Sequence, residues 1–313
     1  MPRGKIPANQ DKLKEAEGEL EVIEHITDGI YLISPGKNTI FPYSFFFYID
    51  DEIKTLIDTP LIPQLLQSLE GKKVDRIINT HFHRDHCGSN YLFPEVEVYV
   101  HEADSPAMQS VETFSLYYGF DKHGGSEIAR KLLPSFNYQP SRIDGKLVPG
   151  EKVKLGKIEL EVIHTPGHTP GHCVLFWEEK GLLFAGDIDL TSFGPWYGNE
   201  VSDVDQTIQS IEKIIALKPE TILSGHRGLI KKDTAKELKK YRDKVYAKEE
   251  KLLKALKTPQ TIEELVNLKI VYGRFRPPEE LYAFFEKVSL LKHLERLMRL
   301  GIVEYDGRYY YKK

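Results

Sequence analysis

The six residues from His81 to His86, HFHRDH, put three imidazoles and one carboxylate on a single short stretch. Polar groups of this kind are seldom gathered in a soluble chain unless each has a partner. A metal centre uses all of them, because imidazole and carboxylate suit zinc, manganese or iron(II). His81 and His83, two apart on an extended loop, point the same way and can chelate one ion. Asp85 and His86 lie further along and can reach a second. Four ligands on one loop cannot enclose two ions, so strand ends elsewhere must supply the rest. Three positions qualify: His168 in HTPGHTPGH, Asp187 at the end of LLFAGD, and His226 at the end of TILSGH. Each follows an apolar strand pattern and a glycine, where backbone can approach closely. The set divides as three histidines on one ion, one aspartate and two histidines on the other, and a bridging carboxylate.

The surrounding pattern supports this placement. GIYLISPG, SFFFYID, IKTLIDT and VDRIINT read as strands, the last delivering Thr80 and the cluster at its C-terminal end. LIPQLLQSLEG reads as a short helix closed by Gly71, and EVEVYVHE alternates as a half-buried strand should. Residues 103–141 are aromatic-rich and irregular, suited to helices over a site. Hairpins are expected at Leu155-Gly156 and Lys180-Gly181. SDVDQTIQSIEKIIALK is an amphipathic helix, capped by Ser202 or Asp203. Strands, hairpins and helices in this order predict layered sheets with helices outside.

Composition bounds the class. The chain has 313 residues, 41% hydrophobic and 29% charged, as a globular protein does. Its longest strongly apolar run, SFFFYI, suits a buried strand and is too short to span a bilayer. The first residues show no apolar secretory core, so a cytoplasmic location with no membrane partner is expected. Cys87 and Cys173 make no disulfide framework and read as thiols, each directly after a histidine of interest. From Thr234 onward 19 Lys and Arg stand against 12 Asp and Glu, although the whole chain is at −4. An acidic body with a basic tail predicts two domains with different partners.

In order and spacing, HFHRDH, TPGHTPGH, FAGD and SGH resemble the motif series of the metallo-β-lactamase superfamily, over roughly Ile23 to Lys232. The resemblance implies an α/β fold, an αββα sandwich with metals at one edge between the sheets. It implies that His81, His83 and His168 hold one ion, that Asp85, His86 and His226 hold the other, and that Asp187 lies between. Two divalent ions are expected, zinc first, with manganese or iron(II) as alternatives. Asp58 resembles an aspartate the family carries early in the fold, placed to receive an imidazole N–H. His164 and His172 read as hydrogen-bonding neighbours of the ligands, and Arg84 as a solvated spacer. Asp85 is a candidate proton shuttle. Tyr197 is a candidate proton donor to an oxyanion, as a tyrosine in a similar place is in related lactonases.

The tail bears on substrate. QTIEELVN carries a capping box, Thr261 with Glu264. Apolar residues from Leu281 to Met298 recur at three- and four-residue spacing, and IVEYDGRYYYKK reads as a hairpin on Asp306-Gly307. Helix, helix, helix and a two-stranded wing is similar to the winged-helix appendage of one superfamily branch, which includes a single-stranded RNA endonuclease. The expected division is an N-terminal extension at 1–22, a metallo-β-lactamase domain at 23–233 and a winged-helix-like domain at 234–313. The sandwich is then expected to fold without the tail. Arg296, Arg299, Arg308, Lys312 and Lys313, interleaved with tyrosines, would hold phosphates and stack bases. The leading expectation is therefore a phosphodiesterase acting on single-stranded RNA or DNA. The alternative is a hydrolase of small thioesters, like the glyoxalase II branch, or of lactones, with the tail as a packing or homodimer module. A mono-iron dioxygenase stands third.

Overall fold

The computed structural model describes residues 22–36, 39–136 and 138–313. The expected N-terminal extension lies, but for Val22, outside them. The first half forms a seven-stranded sheet whose spatial order follows the sequence: β1 (Val22–Thr27), β2 (Ile30–Ser34), β3 (Phe46–Ile49), β4 (Thr55–Ile57), β5 (Arg76–Ile78), β6 (Glu97–Val100) and β7 (Gly145–Lys146). The strands from β1 to β4 are antiparallel, whereas β4 to β7 are parallel. Parallel neighbours need long crossovers. The β5–β6 crossover carries the histidine cluster and the short helix α1 (Arg84–Cys87). The next carries α2 (Ser105–Gln109), α3 (Val111–Tyr118) and α4 (Ser126–Leu132), where the sequence predicts helices.

The second sheet holds β8 (Lys152–Lys154), β9 (Glu159–His164), β10 (Cys173–Trp177), β11 (Leu182–Phe184), β12 (Thr221–Ser224) and β13 (Gly228–Ile230), in the spatial order β13-β12-β11-β10-β9-β8. Only β11 and β12 are parallel, and α5 (Val204–Leu217) crosses between them. Asp203 caps α5, its carboxylate accepting from the Gln206 N–H at 2.8 Å.

Alternation explains the layers. Leu32, Phe47, Ile57 and Ile78 of the first sheet face Val162, Leu175, Phe184 and Leu223 of the second. The rings of Phe47 and Phe184 meet edge-on, 5.3 Å apart. On the outer face of the second sheet, Val174, Leu183 and Ile222 pack under Ile211 and Ile214 of α5 and Leu238 and Tyr241 of α6 (Thr234–Ala255). The outer face of the first sheet is covered by Leu65 and Leu69 from a 3-10 turn, Pro63–Leu69, where an α-helix is predicted. Strand β1, which pairs with β2, was not readable beforehand, because it is the exposed edge of the sheet.

After α6 come α7 (Ile262–Asn267), α8 (Glu279–Arg299) and the hairpin β14 (Val303–Tyr305) with β15 (Tyr310–Lys312). The capping box of Thr261 and Glu264 is formed, and Gly307 turns the hairpin at φ +100°. This segment has a core of its own, with Leu252, Leu265, Leu294 and Val303. Its packing does not stop at residue 234, however. Phe284 and Val288 of α8 share a cluster with Phe82, Phe114 and Phe120 of the body, and Phe284 stacks on Phe120 at 5.1 Å. A sandwich cut free of the tail would open that core. Among the described residues no helix is long and apolar enough to cross a membrane.

The Phe284→Ala variant should therefore lose about 3–5 kcal/mol of stability. Denaturant unfolding followed by circular dichroism checks this, with Leu116→Ala, an exposed body site, as the neutral control.

Candidate metal centre

The strand ends converge as the sequence predicts. Two sets of side chains offer ligand atoms within 4.8 Å of one another: His81, His83, His168 and Asp187, and Asp85, His86 and His226. In the first set, Nδ1 of His83 lies 3.1 Å from Nε2 of His81 and 2.8 Å from Nε2 of His168. Asp187 turns Oδ2 towards this set, 3.2 Å from Nε2 of His168 and 3.8 Å from that of His81. Its Oδ1 faces the other set, 3.0 Å from Nε2 of His86 and 3.5 Å from that of His226. Oδ2 of Asp85 lies 3.5 Å from the same His226 nitrogen.

Glycines make this approach feasible. A Cβ at Gly225 would lie 2.7 Å from Cε1 of His86 and 2.9 Å from Oδ1 of Asp187, and one at Gly186 would lie 2.7 Å from Nε2 of His172. Gly186 also has φ +49°, which L residues adopt rarely.

The ring nitrogens that face away from the cluster are tied down. Nδ1 of His86 lies 2.8 Å from Oδ2 of Asp58, and the same carboxylate accepts from the Thr80 N–H and hydroxyl at 2.7 and 2.8 Å. The Thr80 oxygen in turn lies 2.9 Å from Nδ1 of His81. The carbonyl of Trp196 accepts from Nδ1 of His168 at 2.8 Å, and that of Thr39 from Nδ1 of His226 at 2.9 Å. Such contacts set the tautomer and aim the free lone pair inward. His172 is not aimed into either set: its Nε2 accepts the Asp187 backbone N–H at 3.1 Å, and burial pushes it down to about 3, so the ring is neutral. His164 binds the Pro170 carbonyl and stacks on His101.

Electrostatics fit a cation. Burial holds His81 and His83 well below the usual imidazole range, leaving neutral donors. Burial also opposes charge on His226, yet Asp187 and Asp85 raise it to about 9. The carboxylates thus call for positive charge at that point. Nε2 of His86 and Oδ1 of Asp187 are buried, 3.0 Å apart, and neither has a hydrogen-bond partner among the described residues. An ion between them satisfies both, so the residues fit a pair of divalent metals.

Two sequence expectations are corrected. Tyr197 is fully buried among Val204, Ile208 and Val245, and its hydroxyl lies 2.7 Å from Nε2 of His293, so it does not join the cluster as a proton donor. Arg84 is no solvated spacer. It is 2% exposed, donates to the Gly88 carbonyl at 3.2 Å and lies over the Tyr138 ring.

Other residues were missed. Asp104 accepts from the Phe82 N–H, the Thr169 hydroxyl and the Gly171 N–H, at 3.0, 2.6 and 2.6 Å, and so clamps the two histidine loops together. Burial pushes it up to about 6. Trp196 and Tyr118 place their rings 5.3 and 5.6 Å from that of His83. The aromatic density of residues 103–141 pointed at Tyr118, but nothing in the sequence singled it out.

Comparison with known proteins agrees with the geometry. The family model of the metallo-beta-lactamase superfamily matches residues 44–226. A metallo-beta-lactamase family protein from Thermus thermophilus, TTHA1429, superposes with a TM-score of 0.76 and 25% identity, over 92% of this chain and 99% of that one. A hydroxyacylglutathione hydrolase of Rhodospirillum rubrum is 30% identical over 175 residues, 55% of this chain and 56% of its own length. The human acyl-coenzyme A thioesterase MBLAC2 is 28% identical over 162 residues, 48% of this chain and 54% of its own. The chain thus spans a little over half the length of these two relatives.

Asp187→Ala should weaken metal uptake at both sets, because one oxygen of that carboxylate faces each. Asp58→Asn should weaken metal affinity about 10–100-fold without removing a ligand. Elemental analysis and chelator competition measure the two effects.

Proposed function

Because the chain belongs to the metallo-beta-lactamase superfamily, we propose that it is a dinuclear metal-dependent hydrolase of small-molecule thioesters. One observation weighs against nucleic acid: three of the five tail cations read as a phosphate clamp are already paired with carboxylates of the protein itself. Arg296 lies 2.5 Å from Asp205 and 2.8 Å from Glu249, and Arg299 lies 2.8 Å from Asp205 and 3.4 Å from Asp203. Lys313 pairs with Glu304 at 2.8 Å. A clamp for phosphates needs cations free to displace counterions, and these three are engaged. The three helices and hairpin after residue 233 are read here as a winged-helix-like module used for packing. The two relatives named for thioester substrates support the same direction.

The ligand sets proposed are His81, His83 and His168, then Asp85, His86 and His226, with Asp187 bridging and zinc as the resident metal. Two divalent ions held by these residues would lower the pKa of water towards ~7 and would polarise a carbonyl oxygen. Asp85 points Oδ2 at His226, and no hydrogen bond engages its Oδ1 among the described residues. That oxygen takes a proton from water and returns it to the leaving thiolate. Asp58 and the Trp196 carbonyl keep His86 and His168 oriented while charge shifts.

The metal-loaded protein should release thiol from acyl-coenzyme A and from acylglutathione. A chelator should abolish the release, added zinc should restore it, and His226→Ala should leave it near background. Labelled single-stranded RNA is assayed in parallel. Cleavage of the RNA with no thiol release would return the phosphodiesterase reading.

A further inference from the structure

Resting on the thioester reading, we propose that Tyr118, Trp196 and Phe285 form the wall that receives an apolar acyl group, so that the C-terminal segment selects substrate. The wall begins at the metal ligands. The Trp196 ring lies 5.3 Å from His83 and 5.7 Å from His168, and that of Tyr118 lies 5.6 Å from His83. Phe285, on α8, extends it at 5.4 Å from Trp196 and 6.2 Å from Tyr118. Neighbouring Phe82, Phe114 and Phe120 are sealed in the core, whereas Trp196 and Phe285 are only half-buried. Two large aromatic faces thus meet solvent beside the ligand set.

The wall is held rigid. The indole N–H of Trp196 donates to the Tyr272 hydroxyl at 2.7 Å, while its carbonyl holds His168. Lys248 donates to the carbonyl of Pro195 at 3.1 Å. Phe285 follows Phe284, which is locked against Phe120. A preformed apolar surface with one polar group, the Tyr118 hydroxyl, which has no hydrogen-bond partner among the described residues, is suited to a chain ending in a carbonyl. Charge on the wall itself disfavours the rival occupant. Aromatic faces also stack bases, but bases bring phosphates, and nearby Lys122 and Lys292 are both paired with Glu200. An uncharged acyl chain needs no free cation.

Burial of one methylene should raise kcat/KM about fourfold. The experiment uses the full metal-loaded chain and acetyl, butyryl, hexanoyl and octanoyl thioesters of one thiol. The expected result is a rise of that order per methylene until the wall is covered. Phe285→Ala should lower the octanoyl-to-acetyl ratio of kcat/KM by roughly tenfold, and Phe285→Leu should recover much of it. Binding is read without catalysis by tryptophan emission on adding octanamide. The wild type should respond and Trp196→Phe should not, because Trp177 is buried in the sandwich. No thioester turnover with an intact emission response would sink the thioester reading and keep the wall. Turnover indifferent to chain length, with no response to octanamide, would overturn the wall alone. A response to single-stranded RNA but not to octanamide would assign these rings to bases and overturn the proposal.

Discussion

One buried carboxylate organises the site. Asp187 presents one oxygen to each histidine set, and the end of β11 is where it can do so. Without a cation the arrangement is costly: unpaired polar atoms and converging imidazoles sit in a region nearly closed to water. The sandwich tolerates this because its core lies elsewhere, between the sheets and under α5 and α6. The cluster lies at a rim, where loops from both sheets meet and no apolar layer need be broken. Stability and chemistry are therefore carried by different parts of the same strands, interiors for one and C-terminal ends for the other.

How much of this was legible follows from the distance over which each feature is encoded. The histidine loop, the Gly-preceded strand ends, the Asp203 cap and the Thr261 box are local, so a few adjacent residues state them. Asp58 was readable because it closes a strand beside the one that delivers Thr80, and the paired strands bring it under His86. Tyr197 was misread for the opposite reason. Lying ten residues after Asp187 says that it is near the site, but not which of two neighbouring aromatics turns inward. Trp196 takes the place beside His83, and Tyr197 is drawn into the tail by His293. Tyr118 and Phe285 meet only through tertiary packing across more than half of the chain, which no periodicity records.

The charge asymmetry had a similar fate. A net positive tail reads as a surface for a polyanion when the body is imagined apart from it. In the fold two of those arginines face acids at the start of α5, and Glu249, Arg296 and Asp205 form a part-buried chain linking α6, α8 and α5. Part of the opposite charge on two halves of a chain thus records, here, how the halves hold each other. Partly burying such a network costs desolvation, and its return is a defined register between the helices.

Asp104 carries a consequence for anyone who would remodel this scaffold. Its two oxygens accept from Phe82, inside the first histidine loop, and from Thr169 and Gly171, beside the second. The two loops lie far apart in sequence yet share this anchor. Grafting either loop from a cousin with another spacing would strand a sealed carboxylate with one or two of its three donors missing. The unit of inheritance and of engineering is thus the trio of both loops and the aspartate, exchanged together or left alone.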